Sequence, residues 1–384
     1  MMRLGRVSGR KWVVVGAALG LIGALGAILG WTSRDPWPIR VVIGSPRDGD
    51  SRTQRLVPQR PQGFTPDGRS FLTSNLLELK SWDAATGKPQ KVSSDLVVWR
   101  KSYASDGKSF VGMTGSDFAE SEVVWVDAGS GAIKAKFPVK SRQVLGPRLI
   151  NEGRSIRAIL GDRNQFKEVV TWDLASGAEA RRPILGPGGQ GISRNMPPIC
   201  SPDGRIYPYF DPVGGGVRLW DVEADRPVGG LLQPHASGLD PTPGVVFTPD
   251  GRTLILGQSD GKAELWDVAG SRLIKVVKVH SNGFRFRFDE MEVSPNGRTL
   301  ASAGQHSGPS LSLLWLRAFV SQLLFGSGRL MTVEVVVTDL ASGQTLTRSP
   351  GSTEPLFSPD GRTIVTREWD GTFSVRDAPR PASR

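Results

Sequence analysis

Residues Phe247–Asp267 read FTPDGRTLILGQSDGKAELWD. Pro249-Asp250-Gly251 is a turn signal: Pro holds φ, Asp bonds back to its own backbone, and Gly accepts positive φ. Thr253-Leu254-Ile255-Leu256 is short, apolar and partly β-branched, as a buried strand should be. Ser259-Asp260-Gly261 is a second turn. Ala263-Glu264-Leu265-Trp266 then reads as a second strand, which Asp267 closes. A third strand is expected before Phe247 and a fourth after Asp267.

The unit recurs seven times. Its turn glycines are Gly68, Gly107, Gly153, Gly204, Gly251, Gly297 and Gly361, each preceded by an acid or amide. Its closing aspartates are Asp83, Asp127, Asp173, Asp221, Asp267, Asp339 and Asp377. Trp82, Trp172, Trp220 and Trp266 stand directly before four of them. Trp125 comes one residue early in the second copy, and Thr338 and Arg376 take the place in the last two. Most turn glycines lie about forty to fifty residues apart, a period that points to a propeller of four-stranded blades.

In its Trp-Asp pairs and Ser-Pro-Asp-Gly-Arg turns the chain resembles the WD-repeat β-propeller family, over roughly Ile39 to Asp377. The resemblance implies an all-β, seven-bladed propeller of antiparallel blades across 39–384. It also implies that an N-terminal strand completes the last blade, since nothing after Asp377 supplies an outer strand. Ile39–Ile43 is the candidate, with Thr53–Val57 as the alternative. Around Trp266, His235 and Asp260 match the family's hydrogen-bond network of His, Ser/Thr, Asp and Trp, although Leu256 stands where Ser or Thr belongs. His280 is placed to act in the same way ahead of the sixth blade. Arg376, where a Trp is expected, either loosens closure or pairs with a carboxylate.

Upstream lies a segment of another kind. Residues 12–31, WVVVGAALGLIGALGAILGW, hold twenty residues without a charge. As a helix at about 1.5 Å per residue they span about 30 Å, the hydrocarbon thickness of a bilayer. Trp12 and Trp31 bracket the run, and Arg3, Arg6, Arg10 and Lys11 precede it. This pattern predicts a transmembrane anchor with residues 1–11 in the cytoplasm, 32–38 as linker, and the propeller in the periplasm of a bacterial inner membrane. A cleaved signal peptide is the alternative, but Ile28-Leu29-Gly30-Trp31 is a poor cleavage site. Gly16 to Gly20 and Gly26 to Gly30 both read G-x-x-x-G, which suits an anchor-mediated homodimer.

The sixth repeat is anomalous. Six copies place fifteen to twenty positions between turn Gly and closing Asp; from Gly297 to Asp339 there are forty-two. The insertion, about 308–332, contains Leu311, Leu314, Trp315, Phe319, Leu323 and Phe325. These make it too apolar to lie bare in water and too short to span a bilayer as a helix. It joins strands two and three, so it emerges opposite the Asp-Gly turns, on the face where WD-repeat proteins commonly bind partners. Three roles are open: gripping a partner or the membrane, folding back over the propeller, or plugging its channel.

The net charge is +11, four units of it from the N-terminal cluster. No dense basic run with interleaved aromatics accompanies it, so no specific nucleic-acid site is expected. The single cysteine, Cys200, excludes an internal disulfide and is expected to be a small buried residue at the end of an inner strand. The glycine-rich stretch in Arg181–Pro198 lacks the Gly-Lys-Ser/Thr of a phosphate loop and is expected to be a loop. No Gly-x-Ser-x-Gly elbow or metal-ligand spacing is present, and there are three histidines. The sequence thus points to no catalytic residue, cofactor or metal. It favours a non-catalytic platform for protein contacts, with a propeller enzyme or channel-ligand binder as the alternative.

Overall fold

The computed structural model describes residues 37–44, 59–74, 79–93, 102–103, 108–114, 121–127, 131–139, 143–161, 165–186, 192–193, 199–211, 215–234, 244–280, 284–306, 333–368 and 370–381. They form seven antiparallel sheets, blades I to VII of a propeller. Blade I is Arg60–Phe64, Ser70–Ser74, Leu79–Asp83 and Pro89–Ser93. Blade II is Ser102–Tyr103, Ser109–Thr114, Ser121–Asp127 and Ile133–Val139. Blade III is Gln143–Ile150, Ser155–Gly161, Gln165–Asp173 and Glu179–Pro183. Blade IV has three strands among the described residues, Ile206–Asp211, Gly216–Asp221 and Arg226–Leu232. Blade V is Gly244–Phe247, Thr253–Gly257, Lys262–Asp267 and Arg272–Lys278. Blade VI is Phe284–Val293, Thr299–His306, Val333–Asp339 and Thr345–Pro350.

Blade VII joins the two ends of the propeller. Ser352–Phe357, Thr363–Glu368 and Phe373–Asp377 are completed by Ile39–Ile43, which pairs antiparallel with Phe373–Asp377. The N-terminal strand expected to close the ring does so, and the alternative, Thr53–Val57, lies outside the described residues. Alternation explains the pairing: Ile43 is fully buried while Val42 is 52% exposed. Ile43 packs with Phe64, Phe71, Trp82, Val365, Phe373 and Val375, so one cluster draws on blades VII and I together. Similar clusters join III to IV around Tyr207 and Trp220, IV to V around Leu219 and Leu254, and V to VI around Leu265 and Val336.

Blade IV departs from the four-strand expectation. The Ile192–Ser193 strand upstream of it pairs with Gln165–Phe166 of blade III instead. That strand lies inside the stretch read from sequence as a loop. Pro197 and Pro198, just upstream, lack N–H donors and lie outside the described residues. Cys200 is buried just ahead of the blade IV turn, outside any strand, and accepts a hydrogen bond from Arg148 Nε at 3.0 Å.

The Asp-Gly turns share one device. Thr65, Thr248, Ser294 and Ser358 donate their hydroxyls to the side-chain oxygens of Asp67, Asp250, Asn296 and Asp360 at 2.6–2.7 Å. Each hydroxyl also accepts the N–H that starts the second strand. Ser201 and Asp203 repeat the pattern in blade IV. The hydroxyl bond, followed by a backbone N–H, holds Asp67, Asp250 and Asp360 below the usual carboxylate range. Among the described residues no helix is long and apolar enough to cross a membrane; the expected anchor, 12–31, lies outside them.

Candidate functional site

The closing aspartates serve the turn between strands three and four. Asp83 accepts the Thr86 N–H and hydroxyl at 2.7 and 2.8 Å, and Asp173 accepts those of Ser176 at 2.8 and 2.7 Å. The hydroxyl bond, then the N–H bond, lowers both carboxyls. Asp339 takes the same pair of bonds from Ser342, and these outweigh the burial that pushes it upward. Asp221 accepts from the N–H groups of Glu223 and Ala224 and from Arg205, and Asp267 accepts from Gly270 N–H. Asp127 pairs with Lys134 at 3.2 Å, and Asp377 meets Arg40 of the closing strand at 2.9 Å.

Trp82, Trp172, Trp220 and Trp266 are buried, and their indoles find three kinds of partner, Thr, Glu and Asp. Trp82 donates to Thr73 Oγ1 at 2.9 Å, Trp172 to Glu179 at 2.9 Å, Trp220 to Asp225 at 3.0 Å, and Trp266 to Glu264 at 3.1 Å. Asp260, expected in a network with Trp266, instead bonds the backbone and ammonium of Lys262. The reason is reach: the Gly261 turn points Asp260 back on its own residues, while Glu264 lies beside the indole. His235 lies outside the described residues.

The chemically richest place runs from the entry to blade VI, where His280 also bonds Gly261 of blade V, to the seam between blades VI and VII. His280 and Ser302 are fully buried. Glu334 Oε1 lies 3.1 Å from His280 Nδ1, and Ser302 Oγ lies 3.1 Å from Nε2. Arg348 reaches the same carboxylate at 3.2 Å. Phe286 stands edge-on to the imidazole, with ring centroids 4.8 Å apart. Next to this, Ser349 and Ser352 share a hydrogen bond, and Ser352 donates to Glu368. Glu368 also accepts from Thr366 and pairs with Arg376 at 3.3 Å. Arg376, in the Trp position, is therefore 1% exposed and matched to a carboxylate. Across the inner strands Glu290 accepts Glu354 N–H, and Glu292 accepts Phe357 N–H at 3.0 Å. Burial pushes the Glu292 carboxyl up to about 8 against the pull of that N–H.

No known protein family matches this chain, and no curated protein does.

Carboxylate to imidazole to serine is the connectivity of a hydrolytic triad. Its surroundings differ from those of a nucleophile, because neither Ser302 nor His280 reaches solvent. The position also repeats. Ser302 stands five residues after its turn glycine, as do Thr73 and Thr366, and each of these buried hydroxyls takes part in a side-chain bond. A structural clamp within each blade accounts for all three.

Among the described residues no group of three or more His, Cys, Asp or Glu is placed to hold a metal ion. A cleft of about 510 Å³ opens beside the blade IV turn, lined by Asp203, Arg205, Asp221, Arg226 and Val228 among others. The insertion residues Leu311, Leu314, Trp315, Phe319, Leu323 and Phe325 lie outside the described residues. Its flanks are Thr299–His306 and Val333–Asp339, the two strands that carry Ser302 and Glu334. Reasoning from sequence reached His280 but missed Glu334, Glu368 and Arg348, which carry no repeat signature. The available signal was the Ser or Thr five residues after the glycine, present in blades I, VI and VII alone.

Proposed function

We propose that this chain is a WD-repeat-like propeller, held to the inner membrane of a bacterium by residues 12–31, that serves as a non-catalytic platform for protein contacts. The observation that supports it most is the contrast within blade VI. A regular, buried blade is interrupted between Thr299–His306 and Val333–Asp339 by a sequence carrying Leu311, Leu314, Trp315, Phe319, Leu323 and Phe325. Closure by Ile39–Ile43 makes a stiff mount for such an element. Cross-linking in native membranes, comparing the intact chain with one lacking 311–325, tests the reading. A protein captured by the intact chain alone is the expected result; no capture by either refutes it. Retention in the pellet after alkaline washing, with an N-terminus upstream of residue 12, is expected of the anchor. A chain that starts beyond residue 31 would make the segment a signal peptide.

A second reading, a propeller hydrolase, draws on the Glu334–His280–Ser302 connectivity. A fluorophosphonate probe that labels Ser302 in the native protein would favour it. Absence of labelling is the result expected of a clamp.

A further inference from the structure

The strand that closes the ring is also the first one after the apolar run. Residues 32–38 alone separate that run from Ile39, and as extended chain they reach at most about 25 Å. Ile39–Ile43 is the outer strand of blade VII, so its edge lies on the rim of the ring. Ile39 and Val42 are 44% and 52% exposed there. Residues three apart in a regular strand face opposite ways. Here a bulge between Ile39 and Val41 sets Ile39 opposite Arg376 and Val42 opposite Ser374, so both face the same side. Val41 and Ile43 face the other side, into the cluster that joins blades VII and I.

The strand starts beside Arg376 and Asp377, so it starts on the face of the ring that carries the Asp-Gly turns. That face is a poor match to lipid. Asp67, Asp250 and Asp360 in the turns, and Asp83 and Asp173 beside them, are held below the usual carboxylate range by hydroxyl and N–H bonds, so they stay ionised. Carboxylates that keep their charge resist leaving water. The blade VII edge presents an apolar pair instead. Its neighbour Arg40 is matched by Asp377 at 2.9 Å, and Arg380, exposed just past the end of the adjacent strand, adds a cation.

We propose that the rim of the ring at blade VII rests edge-on against the lipid surface, with Ile39 and Val42 entering the headgroup boundary. This rests on the reading of 12–31 as an anchor, and names the surface of the propeller that the anchor brings to the bilayer. The short tether keeps that edge at a high local concentration beside the lipid, so two apolar side chains suffice where they would not hold an untethered protein. Edge-on contact leaves both faces of the ring in water. One of them is the face on which Thr299–His306 ends and Val333–Asp339 begins, where the insertion is joined.

The test uses the full chain with Cys200→Ser and one new cysteine. Val42→Cys marks the edge; Arg154→Cys, on an Asp-Gly turn, and Leu185→Cys mark blade III, across the ring. Each carries an NBD label and is checked for folding by tryptophan emission. Each is then reconstituted into phosphatidylethanolamine–phosphatidylglycerol vesicles with a doxyl lipid as quencher. Flotation with the vesicles after an alkaline wash reports the anchor by itself. Emission at 42 is expected to fall about twofold or more, with little change at 154 and 185. Adding Ile39→Asp to the 42-labelled chain is expected to remove most of that quenching, since a carboxylate does not enter the boundary. A chain that floats with no quenching at 42, or with equal quenching at all three positions, overturns this proposal and leaves the anchor standing. Quenching strongest at 154 would place the turn face on the bilayer and overturns it too. So does quenching at 42 that survives Ile39→Asp, which would mean that the tether alone brings the edge near. A chain that does not float overturns the anchor and this proposal together.

Discussion

Replacing Ile43 by alanine tests whether the N-terminal strand holds the ring shut. Ile43 is fully exposed in an opened ring and fully buried in the closed one, against Phe64, Phe71, Trp82, Val365, Phe373 and Val375. The substitution removes three carbons. At about 0.8 kcal/mol per buried carbon the transfer loss is about 2.4 kcal/mol. The rigid aromatic neighbours do not fill the gap fully, so the cavity brings the total to about 3–4 kcal/mol. Val42→Ala, on the exposed side of the same strand, is the control and is expected to cost less than about 0.5 kcal/mol. Urea unfolding followed by tryptophan emission is the assay, since Trp82 lies in the same cluster. A midpoint for Ile43→Ala that matches Val42→Ala would refute the closure argument, because the strand would then contribute nothing that depends on its buried face.

Three further outcomes follow from the polar seam and the turns. Glu292 keeps its proton in the folded state up to about 8 from an ordinary 4.5, so the unfolded chain loses its proton first as pH rises. Its contribution to stability is therefore whole below about 4.5, declines as pH rises to about 8, and is lost above that. Glu292→Gln should flatten that slope and unfold at higher urea than wild type at pH 8.5, by up to several kcal/mol; an unchanged slope refutes the assignment. Gly304→Ala would set a methyl 2.5 Å from His280 Nδ1 in a fully buried place. It should cost about 1–3 kcal/mol in calorimetry, and a neutral result would mean the imidazole is not held where the bonds to Ser302 and Glu334 put it. Ser358→Ala removes the hydroxyl that bonds Asp360 and the N–H of Thr363. A loss of about 1–2 kcal/mol is expected in thermal unfolding, and Ser358→Thr, which blade I shows at Thr65, should restore it.

The architecture was readable from sequence because its signals are short-range. Five of the turns are settled within six residues: hydroxyl, Pro, Asp or Asn, Gly, Arg and the N–H that returns to the hydroxyl, as in Ser358–Thr363. Repetition then multiplies a weak local preference into a fold. The strand at Ile39–Ile43 was also legible, since the last repeat lacked an outer strand; its buried face was not, because Val42 and Ile43 are both apolar and only Ile43 is buried. Blade IV was less so. The pairing of Ile192–Ser193 with blade III depends on a neighbour rather than on its own sequence.

What the sequence by itself determined is therefore the repeat, its seven copies, the turn chemistry and the place of the apolar insertion. Tertiary structure alone decided the partners. Trp82 finds Thr73, but Trp266 finds Glu264 and leaves Asp260 to Lys262. His280 meets a carboxylate 54 positions away, and Arg40 meets one 337 positions away. Turn signals act through a few covalent links and repeat without regard to context. Buried polar groups must be matched by whatever the folded chain brings within about 3 Å, and no local pattern encodes that distance.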